Sequence, residues 1–223
     1  MYPKDFILTL RKMDLLFNFI EQQCLKYSID ESHGSRHAWG TALRAKKILK
    51  TLEEVSEEEE RVAIYAAALH DTCDSKYCPV QEAAKEIEGF LLDIKWIPEE
   101  IKAVLSIITS MSYSKLKKNV IDGLIHYPNH GKWQRAYHVA RNADLLEGFI
   151  VARCVLYNRQ LYPKKSEVEH WERAEEVFNQ RVFTYVSEGW INLPGSLEMV
   201  PELEKEARRC LRYKLLDWPE PVV

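Results

Sequence analysis

The chain has 223 residues, a net charge of −3 and only eight glycines, about half the usual glycine frequency of roughly 7%. No glycine pair has the spacing of G-x-G-x-x-G or G-x-x-x-x-G-K-[ST], which excludes phosphate binding by a glycine-rich loop. The charge carries no nucleic-acid footprint, and the longest wholly apolar run, Val62 to Leu69, is too short to span a bilayer.

The predicted elements are helical almost throughout. Phe6, Leu8, Leu10, Met13, Leu16, Phe17, Phe19 and Ile20 recur at three- and four-residue steps and predict a first helix that fades at Tyr27-Ser28. Residues 30–35 read as a polar turn ending in N-cap residues. A second helix follows, with Ala38, Ala42, Ala45, Leu49 and Leu52 on one face. Ser56 and Glu59 have capping-box spacing and open a third helix, Arg61 to His70, whose centre VAIYAAAL is apolar on every side and therefore belongs in the interior.

Asp71 to Pro79 reads as a loop. Helices are predicted over Gln81–Asp93 and over Pro98–Ser110, the latter with Pro at its first position. Residues 111–122 are polar and lysine-rich, and residues 126–131 form a loop. One long helix is predicted from Trp133 past Tyr157, another over Ser166–Glu188, and a last one opened by Pro201 and running to about Leu216. The tail, 218–223, reads as irregular, and no segment reads as a strand. The fold class is all-α, in a single domain over 1–223 with a motif-bearing core at about 28–150 and a helical extension over about 155–223.

The chemistry-bearing residues are His37, His70, Asp71 and Asp144. His70-Asp71 closes the most apolar helix, and a polar pair buried there needs partners because desolvation without them costs several kcal/mol. Imidazole with carboxylate is an ordinary ligand set for a divalent cation. If helices two and three form an antiparallel pair, His37 at the start of one meets His70 at the end of the other. Asp144 lies in the otherwise apolar stretch 140–151 and needs a cation or a hydrogen-bond network. The plainer alternatives are an imidazole cap on the last helical carbonyls for His70, and an ion pair with Arg141 or Lys132 for Asp144.

These residues resemble the H…HD…D signature of HD-domain phosphohydrolases, an all-helical superfamily. Residues 30–37, DESHGSRH, resemble the D-x-S-H-x-x-x-H entry of the bacterial branch that includes nucleoside triphosphate pyrophosphohydrolases. Residues 67–77, AALHDTCDSKY, resemble its A-A-L-L-H-D-x-x-D-x-K-[FY] core. Residues 107–113, IITSMSY, and 142–148, NADLLEG, resemble the later I-I-x-x-[IM]-S-[FY] and D-A-D-x-L-[DE] pieces. Two departures are Trp39-Gly40-Thr41 where the branch usually has Arg-Val, and Asn142 for the first acid of D-A-D.

The resemblance implies one divalent cation (Mn, Co, Ni, Fe, Zn or Mg) held by His37, His70, Asp71 and Asp144. It implies hydrolysis of a phosphate or pyrophosphate bond in a small phosphorylated metabolite, a nucleotide foremost, by metal-activated water. Asp74 would orient or deprotonate the water, Lys76 would neutralise phosphate charge, and His33 would support the site or contact phosphate from the turn. The alternatives are a phosphodiesterase or non-nucleotide phosphatase of the same superfamily, or a degenerate HD domain that only binds a ligand or partner. Neither nucleic acid nor membrane is an expected partner. Five scattered cysteines read as reduced thiols of a cytoplasmic protein. The segment after about 155 carries no motif; it is left to shape the pocket, to build a homo-oligomer interface, or both.

Overall fold

The computed structural model describes residues 4–218, with side chains from residue 12 onward. Phe6, Leu8 and Leu10, assigned to the apolar face of the first helix, and most of the irregular tail lie outside that range. The described residues form an all-α fold. Its first half comprises α1 (Lys4–Tyr27), α2 (Ser35–Leu49), α3 (Glu57–Leu69), α4 (Val80–Asp93), α5 (Pro98–Ile108) and the single turn α6 (Tyr113–Leu116). The second half comprises α7 (Gln134–Glu147), α8 (Val151–Leu161), α9 (Glu167–Gln180) and α10 (Pro194–Tyr213).

Helices α2, α3 and α7 pack most extensively on one another. Their meeting faces are alanines: Ala38, Ala42 and Ala45 on α2, Ala63, Ala66 and Ala67 on α3, Ala136, Ala140 and Ala143 on α7, all buried. Small side chains let helix axes approach closely, which brings side chains at the helix ends within bonding reach of each other. Helix α8 lies against α9, and α10 crosses α7 and α2. One apolar cluster runs through all these layers, from Leu16 to Cys210.

Several boundaries differ from the sequence expectation. The N-cap of α2 is Gly34, without a side-chain cap, and Ser35 is already helical. Ser56 accepts from the Glu59 amide, but the Glu59 carboxylate turns to Arg135 instead of closing a capping box. A complete capping box forms at Ser166 and Glu169. The predicted long helix from Trp133 breaks at 148–150, where Phe149 turns inward toward Phe183 and Tyr185 and starts α8 in a new direction. The helix predicted to reach Glu188 ends at Gln180 and gives way to a 3-10 turn, Val182–Thr184. The last helix is opened by Pro194, which suits a first-turn position, and Pro201 lies inside it. A two-residue hairpin, β1 (Val120–Ile121) and β2 (Leu124–Ile125), occupies a segment with no predicted strand. Its turn residues Asp122 and Gly123 both have positive φ, the conformation that Asp-Gly favours between paired strands.

Candidate metal centre

Helix α3 passes at Leu69 into a 3-10 turn, His70–Cys73, rather than directly into a loop. Its last carbonyls are satisfied by side chains: Thr72 Oγ1 donates to Leu69 O at 2.7 Å, and His70 Nδ1 lies 2.8 Å from Ala67 O. A carbonyl can only accept, so Nδ1 carries the proton and Nε2 keeps its lone pair. The cap on the helix end therefore occupies one ring nitrogen of His70 and leaves the other facing the interior.

His37 is packed from behind rather than pinned by a hydrogen bond in the ring plane. Thr41 Oγ1 donates to His37 O at 2.8 Å and lies 3.3 Å from His37 Nδ1 and 3.5 Å from its Nε2. Nearly equidistant from both ring nitrogens, the hydroxyl sits against the ring, while Nε2 faces inward. Thr41 stands one helical turn after His37, where the two side chains share a face.

The two Nε2 atoms converge with two carboxylates. His37 Nε2 lies 3.3 Å from His70 Nε2, 3.3 Å from Asp71 Oδ2 and 3.4 Å from Asp144 Oδ1. His70 Nε2 lies 3.2 Å from Asp71 Oδ2 and 3.4 Å from Asp144 Oδ1. The ligand atoms of His37, His70 and Asp71 all lie within 4.8 Å of one another. Asp144 adds the fourth, with its side chain 22% exposed toward a cleft.

Electrostatics tie the four together. Burial alone would lower the pKa of His70, but Asp71 and Asp144 outweigh it and raise it well above the usual histidine value. Burial would raise Asp71 and Asp144, yet His70 and His37 hold both well below the usual carboxylate range. Protons can meet this demand only in part, because protonating both Nε2 atoms would set two like charges head-on at 3.3 Å. Asp71 Oδ2 is buried and accepts no hydrogen bond. An orphaned carboxylate oxygen against two imidazole nitrogens is a donor set that fits a divalent cation.

Comparison with known protein families, curated proteins and solved structures finds no match.

A cleft of about 400 Å³ opens above the cluster. His33, Asp74 and Lys76 line it, so the structure brings them to the cluster's mouth rather than into it. His33 Nδ1 meets Ser32 Oγ at 2.7 Å and Tyr77 Oη at 2.9 Å, while Lys76 Nζ donates to its Nε2 at 3.4 Å. Burial lowers the His33 pKa, keeping the ring neutral. Asp74 Oδ1 accepts from the Lys76 amide at 2.8 Å and so shapes the loop that carries both residues. His126 and His130 stay away from the cluster; His130 stacks on Tyr137, with ring centres 4.5 Å apart. The proposed partners of Asp144 are engaged elsewhere: Arg141 with Trp190 O and Asn192, Lys132 with Glu99.

Two supporting residues lie outside the sequence reading. Thr41 was accessible from its spacing to His37. Glu147, one turn beyond Asp144, is buried with Oε2 3.9 Å from His37 Nδ1, and its other oxygen pairs with Arg44. Gly40 makes room for it: a Cβ there would fall 2.5 Å from Glu147 Oε2.

Proposed function

We propose that this protein is a metal-dependent phosphohydrolase of the HD type, acting on a small phosphorylated metabolite, with nucleotides the leading candidates. The observation that carries the reading is the convergence of two buried imidazoles, one held in a single tautomer by a backbone carbonyl, and two carboxylates, one with an orphaned oxygen, at the floor of a ligand-sized cleft. The order of the residues along the chain, H…HD…D, supports it independently.

His37, His70, Asp71 and Asp144 would hold the cation. When bound there, a divalent ion supplies Lewis acidity toward a phosphoryl oxygen and makes water a better nucleophile at neutral pH. The chain's own residues do the rest. Asp74, fixed by the Lys76 amide, faces the cleft where it orients the attacking water and accepts its proton. Lys76 Nζ, held against His33 and over the Tyr77 and Tyr157 rings, meets developing phosphate charge as a point charge. Neutral His33 keeps that ammonium aimed into the cleft.

Metal analysis of the purified protein, paired with a panel of nucleotides and phosphate monoesters assayed across metals, tests this. The expected result is stoichiometric Mn, Co, Fe, Ni or Zn, lost in His70→Ala and Asp144→Ala together with metal-stimulated phosphate release. Protein that folds equally well without metal and releases no phosphate from any compound after metal addition would overturn it.

A further inference from the structure

One side of the cleft is not explained by the metal cluster. It is built by the extension: Arg153 near the start of α8, Arg173 on α9 and Arg181 just past its end all line it. Six other arginines pair with carboxylates: Arg44, Arg61, Arg135, Arg159, Arg208 and Arg209. Among the described residues, none of the three cleft arginines has such a partner. Arg153 Nε donates to Ser32 O at 2.7 Å. Arg181 Nε donates to Tyr185 Oη at 2.8 Å, and its guanidinium lies 3.9 Å over the Tyr113 ring. The Arg173 guanidinium lies 4.6 Å over the Tyr162 ring. These contacts fix the orientation of each group through Nε or through its flat face, and they leave charge unneutralised.

The three groups also share one cleft of about 400 Å³, which His70, Asp71 and Asp144 line as well. An unneutralised guanidinium in a partly desolvated cleft is a strong receptor for phosphate, because its planar fork matches two oxygens at once.

We propose that Arg153, Arg173 and Arg181 form an anion subsite holding a second, non-reacting phosphate of the ligand, so that the cleft takes molecules with linked phosphates in preference to monoesters. This rests on the phosphohydrolase reading for the position of the reacting phosphate, but the subsite itself belongs to separate residues. Its source, an inorganic polyphosphate chain or the phosphate tail of an organic molecule, is left to the substrate panel.

The test uses the full chain, stripped of metal with a chelator and then freed of the chelator, with inorganic tripolyphosphate as the calorimetric probe and orthophosphate as control. Tripolyphosphate should bind at least about tenfold more tightly than orthophosphate, and more weakly as salt is raised. Arg181→Gln and Arg173→Ala should each weaken it by about tenfold or more, the worth of a charged hydrogen-bond pair. Arg173 is exposed and stacks on Tyr162 rather than on Tyr113 or Tyr185, so Arg173→Ala keeps the test valid if Arg181→Gln loosens those rings; circular dichroism checks both. Absent tripolyphosphate binding, or equal binding by Arg173→Ala, overturns the subsite while leaving metal uptake to judge the cluster. Intact arginine-dependent binding in a protein that takes up no metal supports the subsite and removes the hydrolase reading.

Discussion

On the floor of the cleft each imidazole is braced from behind, His70 by the Ala67 carbonyl and His37 by Thr41, on helices locked together through alanine faces. On the arginine wall the charged groups sit at the ends of long side chains, steadied by tyrosine rings and single Nε bonds. The contrast fits what each is proposed to hold. A metal ion demands ligand distances within about 0.2 Å, so its donors need short side chains on rigid elements. An anion among guanidinium groups is held by charge that falls off slowly with distance, so longer and softer supports suffice.

The largest effect that sharpens this contrast comes from the wall's scaffold. Phe178 is fully buried in α9, and Phe178→Ala should cost about 3–5 kcal/mol in chemical unfolding. Metal uptake by the folded variant should survive; its loss would show that floor and wall are not separable. Next comes the floor's bracing. Thr41→Val keeps the shape but removes the hydroxyl that sits against the His37 ring, and should lower metal affinity about tenfold with the fold intact. Unchanged affinity would mean that Glu147 or water orients the ring instead.

A smaller effect is expected at Gly40. In Gly40→Ala the new Cβ meets a Glu147 carboxylate already tied to Arg44, which should destabilise by about 1–3 kcal/mol. A neutral result would mean that Glu147 can leave the floor freely. The smallest concerns the back of α7. Burial, helped by the charges of Arg141 and His130, pushes His138 down to about 4 from the ordinary 6.5. Between those values the unfolded chain binds a proton that the folded one does not, so stability present at neutral pH is lost as pH falls through that window. Urea midpoints at pH 7 and pH 5 should therefore differ less in His138→Gln than in the parent chain, and an equal difference would refute the shift.

The floor was legible in the sequence because its residues break a pattern: a His-Asp pair closing an all-apolar helix and an acid inside an apolar stretch must be partnered in the interior. The wall was not, because arginines on polar helices look like ordinary surface residues until tertiary packing shows which lack a carboxylate. Element boundaries failed for local reasons. Pro201 marked a helix start by rule, yet Pro194 had already taken that position. The break at 148–150 was hidden because Phe149 and Ile150 continue the apolar period while turning into the core. The hairpin at Asp122-Gly123 was missed because its flanking strands of two residues each are too short to show an alternation.

Helix α10 crosses both α2 and α7, the carriers of His37 and Asp144, and at Gly195 it presses so closely on Thr51 that a Cβ would fall 2.1 Å from the hydroxyl oxygen. A nascent chain thus leaves the α10-facing surface of α2 uncovered until some 150 further residues have been synthesised, roughly 8–30 s at ordinary elongation rates, and that of α7 until about 50 have. During that interval the site is unfinished, and these faces are the ones a chaperone would meet.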